Sequence, residues 1–262
     1  MPTKAGNATP SPWLGTLTLV GLLAASAACT AVAPAAPPTD PAWQEAVEHA
    51  IDRYLTAHPE AVERALKTLD VKRQTEERNR IKTAIADRQR ELLHDPSSPV
   101  SGNLNGAVTV VEFFDYRCRY CKQTAGAVTQ LQQDVPDVRV VYKDFPILGE
   151  ASELAAKAAL AARVQGRHQA FHEALLATTA DLTQDEVLRV AEQTGLDTKK
   201  LLADMANPEW TAIIDRNRNL AGALGVAGTP AFVVGTDIYR GALDLNSLKA
   251  AVQDNRAGIT PP

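Results

Sequence analysis

The sequence predicts an α/β domain that carries a helical insertion and is preceded by a helical arm. Three observations predict it. Short β-branched and aromatic runs at Val108–Phe114 and 138–145 enclose a stretch with helical spacing, giving strand, helix, strand. A block rich in alanine, leucine and charge, 150–225, then keeps helical periodicity. Ahead of all this, before residue 95, apolar residues recur at four-residue steps.

The N-terminus comes first and reads as processing rather than fold. Residues 1–12 carry one charge, Lys4, and an uncharged run follows from Trp13 to Pro38. Its apolar heart, 13–23, has the length of a signal-peptide core and is short for a membrane span. Small residues from Ala24 to Ala28 suit a signal peptidase, so 1–28 is expected to be an export signal. Pro34, Pro37 and Pro38 cut the apolar stretch short, which argues against an uncleaved anchor. Cys29 stands where the lipidated cysteine of a bacterial lipoprotein would stand. The alternative is a cut at one of several Ala-x-Ala sites, with Cys29 idle. Residues 29–40 are an Ala/Pro-rich linker.

The arm spans 41–95. Asp40 before Pro41 is a helix start, and Trp43, Val47, Ile51 and Leu55 form one face. His58-Pro59 interrupts the helix, and Val62, Leu66 and Leu69 make a second stripe. Residues 72–91 are mostly charged, with Ile81, Ile85 and Leu92 as a thin apolar line. Such an arm either packs on the chain or pairs with copies of itself. Self-association is expected through 41–70, and a solvated helix or spacer competes for 72–91. Residues 95–99, Asp-Pro-Ser-Ser-Pro, read as a loop.

The domain proper is 96–258. After the first strand a helix is expected at 119–134, then the second strand, then the insertion at about 149–225 with stops near Gly166, Gly195 and Pro208. A strand at Ala231–Val234, another near 238–240 and a closing helix at 245–255 complete the order βαβ, helical block, ββα.

Composition narrows the function. With 262 residues, 45% hydrophobic and 22% charged, the chain is long enough for one or two packed units and is not a disordered polymer. A net charge of −4 lacks the basic footprint of a nucleic-acid binder, so no nucleic-acid partner is expected. Three cysteines are too few for a disulfide-stapled scaffold or a four-thiolate zinc site.

Two of them form Cys118-Arg119-Tyr120-Cys121, directly after the first strand and opening the first helix. Unpaired N–H groups at a helix N-terminus stabilise an anion. Cys118 is therefore the expected nucleophile and Cys121, one turn in, the resolving thiol. Arg119 adds positive charge beside the thiolate, and Arg117 pushes the same way. Competing readings are an inert buried disulfide and half a metal site. His168 and His172, four apart, could be a metal pair, or one partly buried and one solvated histidine. An exported chain with CxxC after a strand favours redox exchange over these.

Two further features fit. Glu112 lies inside the apolar first strand, where an unpaired carboxylate is costly. It could relay the proton of Cys121, or it could face water at a strand edge. Gly228-Thr229-Pro230 precedes the strand Ala231–Val234, a place suited to a cis peptide bond, with a plain trans turn as the alternative. Backbone beside it could pair with a substrate strand.

The segments VEFFDYRCRYCK, KDFPILG and GVAGTPAFVVG, in this order, resemble the thioredoxin fold of the DsbA family over about 95–255. With AIDRYLTAHPEAVERAL of the arm, the chain is similar to the suppressor-of-copper-sensitivity proteins of the ScsC type. The resemblance implies a thioredoxin-like fold, Cys118 and Cys121 as the active pair, Pro230 as the cis-proline, Thr229 as the substrate backbone contact, Glu112 as the buried acid and the arm as an oligomerisation segment. It implies no cofactor beyond a redox-active Cys118–Cys121 disulfide. Implied partners are exported proteins with disulfides and a membrane electron-transfer protein of the DsbD or ScsB kind. The dipeptide Arg-Tyr differs from the Pro-His of strongly oxidising members, and Thr229 stands where those carry valine. This tilts the expectation to a disulfide isomerase or reductase of the periplasm or cell envelope. The alternatives are a DsbA-like oxidase and a copper-tolerance protein holding Cu(I) on Cys118 and Cys121.

Overall fold

The computed structural model describes residues 40–257. The expected export signal, the lipidation of Cys29 and nearly all of the linker lie outside the described residues. None of the described helices is long and apolar enough to cross a membrane. The chain divides after Val62 into two units.

In the first unit, α1 (Pro41–Ala57) starts where the Asp40 carboxylate accepts the Ala42 N–H at 3.0 Å. It ends at His58, because the residue before a proline is pushed out of the helical region. α1 buries nothing, and Trp43, Ile51, Tyr54 and Leu55 are all exposed. α2 (Pro59–Asp87) spans the boundary between the units.

The second unit holds a five-stranded sheet in the order β1-β3-β2-β4-β5: β1 (Val100–Gly102), β2 (Val108–Phe114), β3 (Val138–Asp144), β4 (Ala231–Val234) and β5 (Asp237–Arg240). Only β2 and β3 run parallel, joined through α4 (Arg119–Asp134). Because both faces of the sheet are covered, β2 reads as a near-continuous apolar run rather than as an alternation. Val110, Phe114, Tyr142 and Phe232 face one core; Val111, Phe113, Val141 and Val233 face the other. The first core is closed by α4 and by the insertion, α5 (Glu150–Ala162), α6 (His168–Ala177), α7 (Gln184–Gln193), α8 (Thr198–Met205) and α9 (Glu209–Ala223). The last helix, α10 (Leu245–Ala257), also lies against it. The insertion has one break more than the stops expected from sequence, at 178–183. There Thr183 caps α7 by accepting the Glu186 N–H, and no glycine or proline marks the place.

The second core corrects the reading of the arm. Residues 71–80 are exposed, as a solvated helix would be, but Ile85 and Leu92, in α3 (Gln89–Leu93), are buried against Val111, Phe113 and Val141. The thin stripe is thus one edge of the core. Its partners are strand residues far away in sequence, so no local pattern announces them. The segment that follows is held by four cations, one of them Arg216, which donates to Ser97 Oγ at 3.3 Å. Lys143 is fully buried and donates to Glu91 O at 2.6 Å and Ser98 Oγ at 2.7 Å, with Asp95 Oδ2 at 3.5 Å. Arg139 donates to Leu93 O, and Arg163 to Ser97 O and Pro96 O. This order carries the chain into β1, an edge strand of three residues that is too short to show alternation in the sequence. Leu92→Ala should cost about 3 kcal/mol of unfolding free energy, measured by urea titration. A loss below about 0.5 kcal/mol would show that the end of the arm adds nothing to the core.

Candidate active site

β2 ends at Phe114, and the chain turns through Asp115-Tyr116-Arg117 into α4. The Cys118 N–H closes the turn on Asp115 O at 3.0 Å. Cys118 is the N-cap of α4 in extended conformation, yet its side chain makes no capping bond. Its Sγ instead donates to the Thr229 carbonyl at 3.2 Å, and the Thr229–Pro230 peptide is cis. Segments 111 residues apart are therefore brought together at one sulfur. Both cysteines are free thiols; Cys118 keeps 7% of its surface exposed and Cys121 none. Both are buried, and only Cys118 keeps any surface that a substrate could meet.

Burial pushes the Cys121 thiol far above the usual thiol range, and the neighbouring Glu112 carboxylate pushes it further the same way. Glu112 is 2% exposed, so the alternative of a strand-edge acid facing water does not hold. It pairs across the sheet with Tyr142 on one side and Phe232 on the other. Its Oε1 is buried without a hydrogen-bond partner, and desolvation raises its carboxyl to about 8. Arg119 and Tyr120 are exposed at the start of α4. Any support that Arg119 lends to a thiolate is thus screened by water.

The family profile of the DSBA-like thioredoxin domain matches residues 109–253. The chain belongs to this family. A thioredoxin-like oxidoreductase from Silicibacter pomeroyi is 47% identical, with a TM-score of 0.63 over 64% of this chain and 97% of its own. A linker-deletion variant of Proteus mirabilis ScsC is 26% identical, with a TM-score of 0.66 over 87% of this chain and 100% of its own. Salmonella enterica Typhimurium BcfH is 27% identical, with a TM-score of 0.68 over 82% and 96%. Among curated relatives, the Na(+)/H(+) antiporter NhaA 3 of Salinispora tropica is 34% identical over 155 residues, 58% of this chain and 24% of the antiporter. The chain spans about a quarter of the length of the curated relatives it matches first.

This DSBA-like domain also holds polar groups that sequence reasoning did not single out. Asp144 ends β3, on the same face as Glu112. Both of its carboxylate oxygens are buried without a partner, and burial raises its carboxyl to about 8. Unlike Glu112 it follows a charged residue, Lys143, at the end of its strand, so no such signal marks it in the sequence. Tyr116 and His172 are both buried and share a hydrogen bond at 2.9 Å (Tyr116 OH to His172 Nδ1) among Phe114 and Tyr142. His168 stacks on His172, and burial lowers His168 to about 3 and His172 well below its ordinary value, so both rings are neutral. His172 is buried and His168 partly buried, so neither ring is the solvated member of a pair. Among the described residues, no cluster of three or more His, Cys, Asp or Glu is arranged to hold a metal ion. Asp115 was also missed; its neighbours are aromatic, and only its place just before CxxC marked it.

Proposed function

We propose that this chain is a thiol–disulfide oxidoreductase of the cell envelope that works as a disulfide isomerase or reductase. The observation that carries the reading is the contact of Cys118 Sγ with the Thr229 carbonyl, with Cys121 fully buried behind it. Cys118 thiolate attacks a substrate disulfide, forms the mixed disulfide and releases one substrate thiolate. In isomerisation that thiolate, or another from the same substrate, attacks the mixed disulfide, and Cys118 returns unchanged. In reduction Cys121 attacks Cys118 Sγ, the substrate leaves with two added electrons, and the Cys118–Cys121 disulfide remains.

Glu112 takes the proton of Cys121 in that second route, Arg119 weakly favours the Cys118 thiolate, and the backbone at Thr229, beside Pro230, meets the substrate strand. No cofactor beyond the two thiols is needed. Turnover as a reductase calls for an electron donor in the membrane, of the DsbD or ScsB kind, and the substrates are exported proteins. The exposed Trp43, Ile51, Tyr54, Leu55, Leu66 and Leu69 support assembly of copies through 41–70, so that several Cys118 sites serve one misfolded chain. Export rests on the 1–28 leader, and Cys29 is the candidate lipid anchor.

The test is the recovery of activity from a scrambled multi-disulfide protein by the reduced chain. Recovery well above a Cys118→Ser control is expected, with a loss of isomerisation but not of simple reduction when 41–70 are deleted. No recovery, together with fast oxidation of a reduced substrate by the disulfide form, would instead identify an oxidase. Stoichiometric Cu(I) binding without exchange would identify a copper-holding protein.

A further inference from the structure

Three carboxylates in this unit are almost wholly buried without a salt bridge, and one of them differs from the other two. Glu112 and Asp144 have oxygens without partners, whereas every oxygen of Asp115 is used. Asp115 is 1% exposed. Its Oδ1 accepts the Arg117 N–H at 2.7 Å and the Ser152 hydroxyl at 2.8 Å. Its Oδ2 accepts the N–H groups of Ile147 at 2.9 Å and Leu148 at 3.0 Å. Its main-chain oxygen accepts the Cys118 N–H.

These donors belong to three segments: the turn that presents Cys118, the loop that leaves β3, and the first turn of α5. Arg117 Nη1 adds a bond to Leu148 O at 2.6 Å, linking turn and loop a second time. Gly149, at φ +97°, lets the loop turn directly into α5. Four donors converge on one carboxylate, which offsets the desolvation that a buried charge suffers.

We propose that Asp115 is the positioning residue of the Cys118 turn, fixing the line along which Sγ meets a substrate disulfide. The inference rests on the reading of Cys118 as the attacking thiol. Exchange requires the three sulfurs to approach a line, so a loosened turn loses rate even when the thiol stays reactive. Iodoacetamide is small and unanchored, so it can align its own carbon–iodine bond with the thiolate wherever the turn points Sγ. The two reactions therefore separate position from thiol reactivity, and Cys121 reports on the fold, because a disordered site would open this buried thiol to alkylation.

The acceptor pattern also ranks the variants. In Asp115→Asn the amide oxygen can still serve Ile147 and Leu148, while the new NH2 can meet the Ser152 hydroxyl but not the Arg117 N–H. In Asp115→Ala all four side-chain bonds are lost, and in Ser152→Ala only one.

The experiment uses the full chain, reduced, with glutathione disulfide as the probe, and follows single-turnover exchange beside iodoacetamide alkylation. Exchange is expected to fall about 100-fold in Asp115→Ala and about 10-fold in Asp115→Asn. Alkylation of Cys118 should change less than about threefold and Cys121 should stay protected. If Asp115→Ala does not fold, Asp115→Asn and Ser152→Ala carry the test, ranked in that order. Exchange within twofold of the parent in Asp115→Asn, or a parallel fall of exchange and alkylation, would overturn the positioning role. Full exchange in Cys118→Ser would overturn the reading beneath it instead.

Discussion

Cys121→Ser is expected to accumulate a covalent adduct with its substrate, while Cys118→Ser forms none. The difference follows from burial. Cys118 retains 7% exposure and contacts the Thr229 carbonyl, whereas Cys121 has no exposed surface. A substrate sulfur can therefore bond only to Cys118. Once bonded, it is removed by Cys121 in an intramolecular step, and a thiol held next to its target acts at a very high effective concentration. Without Cys121 the mixed disulfide waits for a thiol from solution or from the substrate. Its lifetime should lengthen about 100-fold or more. Intact-mass measurement of the acid-quenched reaction checks this. An adduct on Cys118→Ser that exceeds that on Cys121→Ser would reverse the two roles.

Glu112→Gln is expected to slow the resolving step on the order of 100-fold, the usual scale of a lost acid–base group. It should also flatten the pH profile of that step. To accept the Cys121 proton Glu112 must be ionised, and desolvation places that ionisation at about 8. The parent rate should thus rise with pH through about 8, and the glutamine variant should lack that limb. Stability should move the other way. The unfolded carboxyl loses its proton near 4.5, while the folded one keeps it to about 8. Between these values the native state binds more protons than the unfolded state, so the parent loses stability as pH rises. The advantage of Glu112→Gln should grow across this window and level off above it, to about 5 kcal/mol at most. Asp144→Asn should show the same trend, because its folded carboxyl is also raised to about 8. Chevron midpoints at pH 5 and pH 9 measure the stability effect, and stopped-flow release of substrate measures the rate. A variant that resolves mixed disulfides at the parent rate across this range would remove Glu112 from the proton path.

Much of the fold was legible because its signals are local. The β-branched run of β2, the helical spacing of 119–134 and the short strand before the last hairpin each sit within a few residues. CxxC at the junction of β2 and α4 pointed to the site by the same logic. A carboxylate inside an apolar strand was noticed at Glu112, whereas Asp144 sits beside Lys143 and looks like half of an ordinary charged pair. What the sequence did not disclose concerns partners distant in the chain. Ile85 and Leu92 read as a sparse stripe on a charged helix, and only β2 and β3 make them core. Lys143 looks like an ordinary lysine until it is found buried beneath Glu91, Asp95 and Ser98. Asp115 sits between two aromatic residues, with no local sign that it gathers donors from Ile147, Leu148 and Ser152.

By itself the sequence determined the order of elements, the pair of thiols and which of them opens a helix, since propensity, capping and spacing act over a few residues. The tertiary structure alone decided that Thr229 meets Cys118, that Glu112 and Asp144 lack partners, and that the end of the arm belongs to the core. Those outcomes depend on which surfaces remain to be buried once the strands have paired, a quantity that the whole chain sets and no window of it contains.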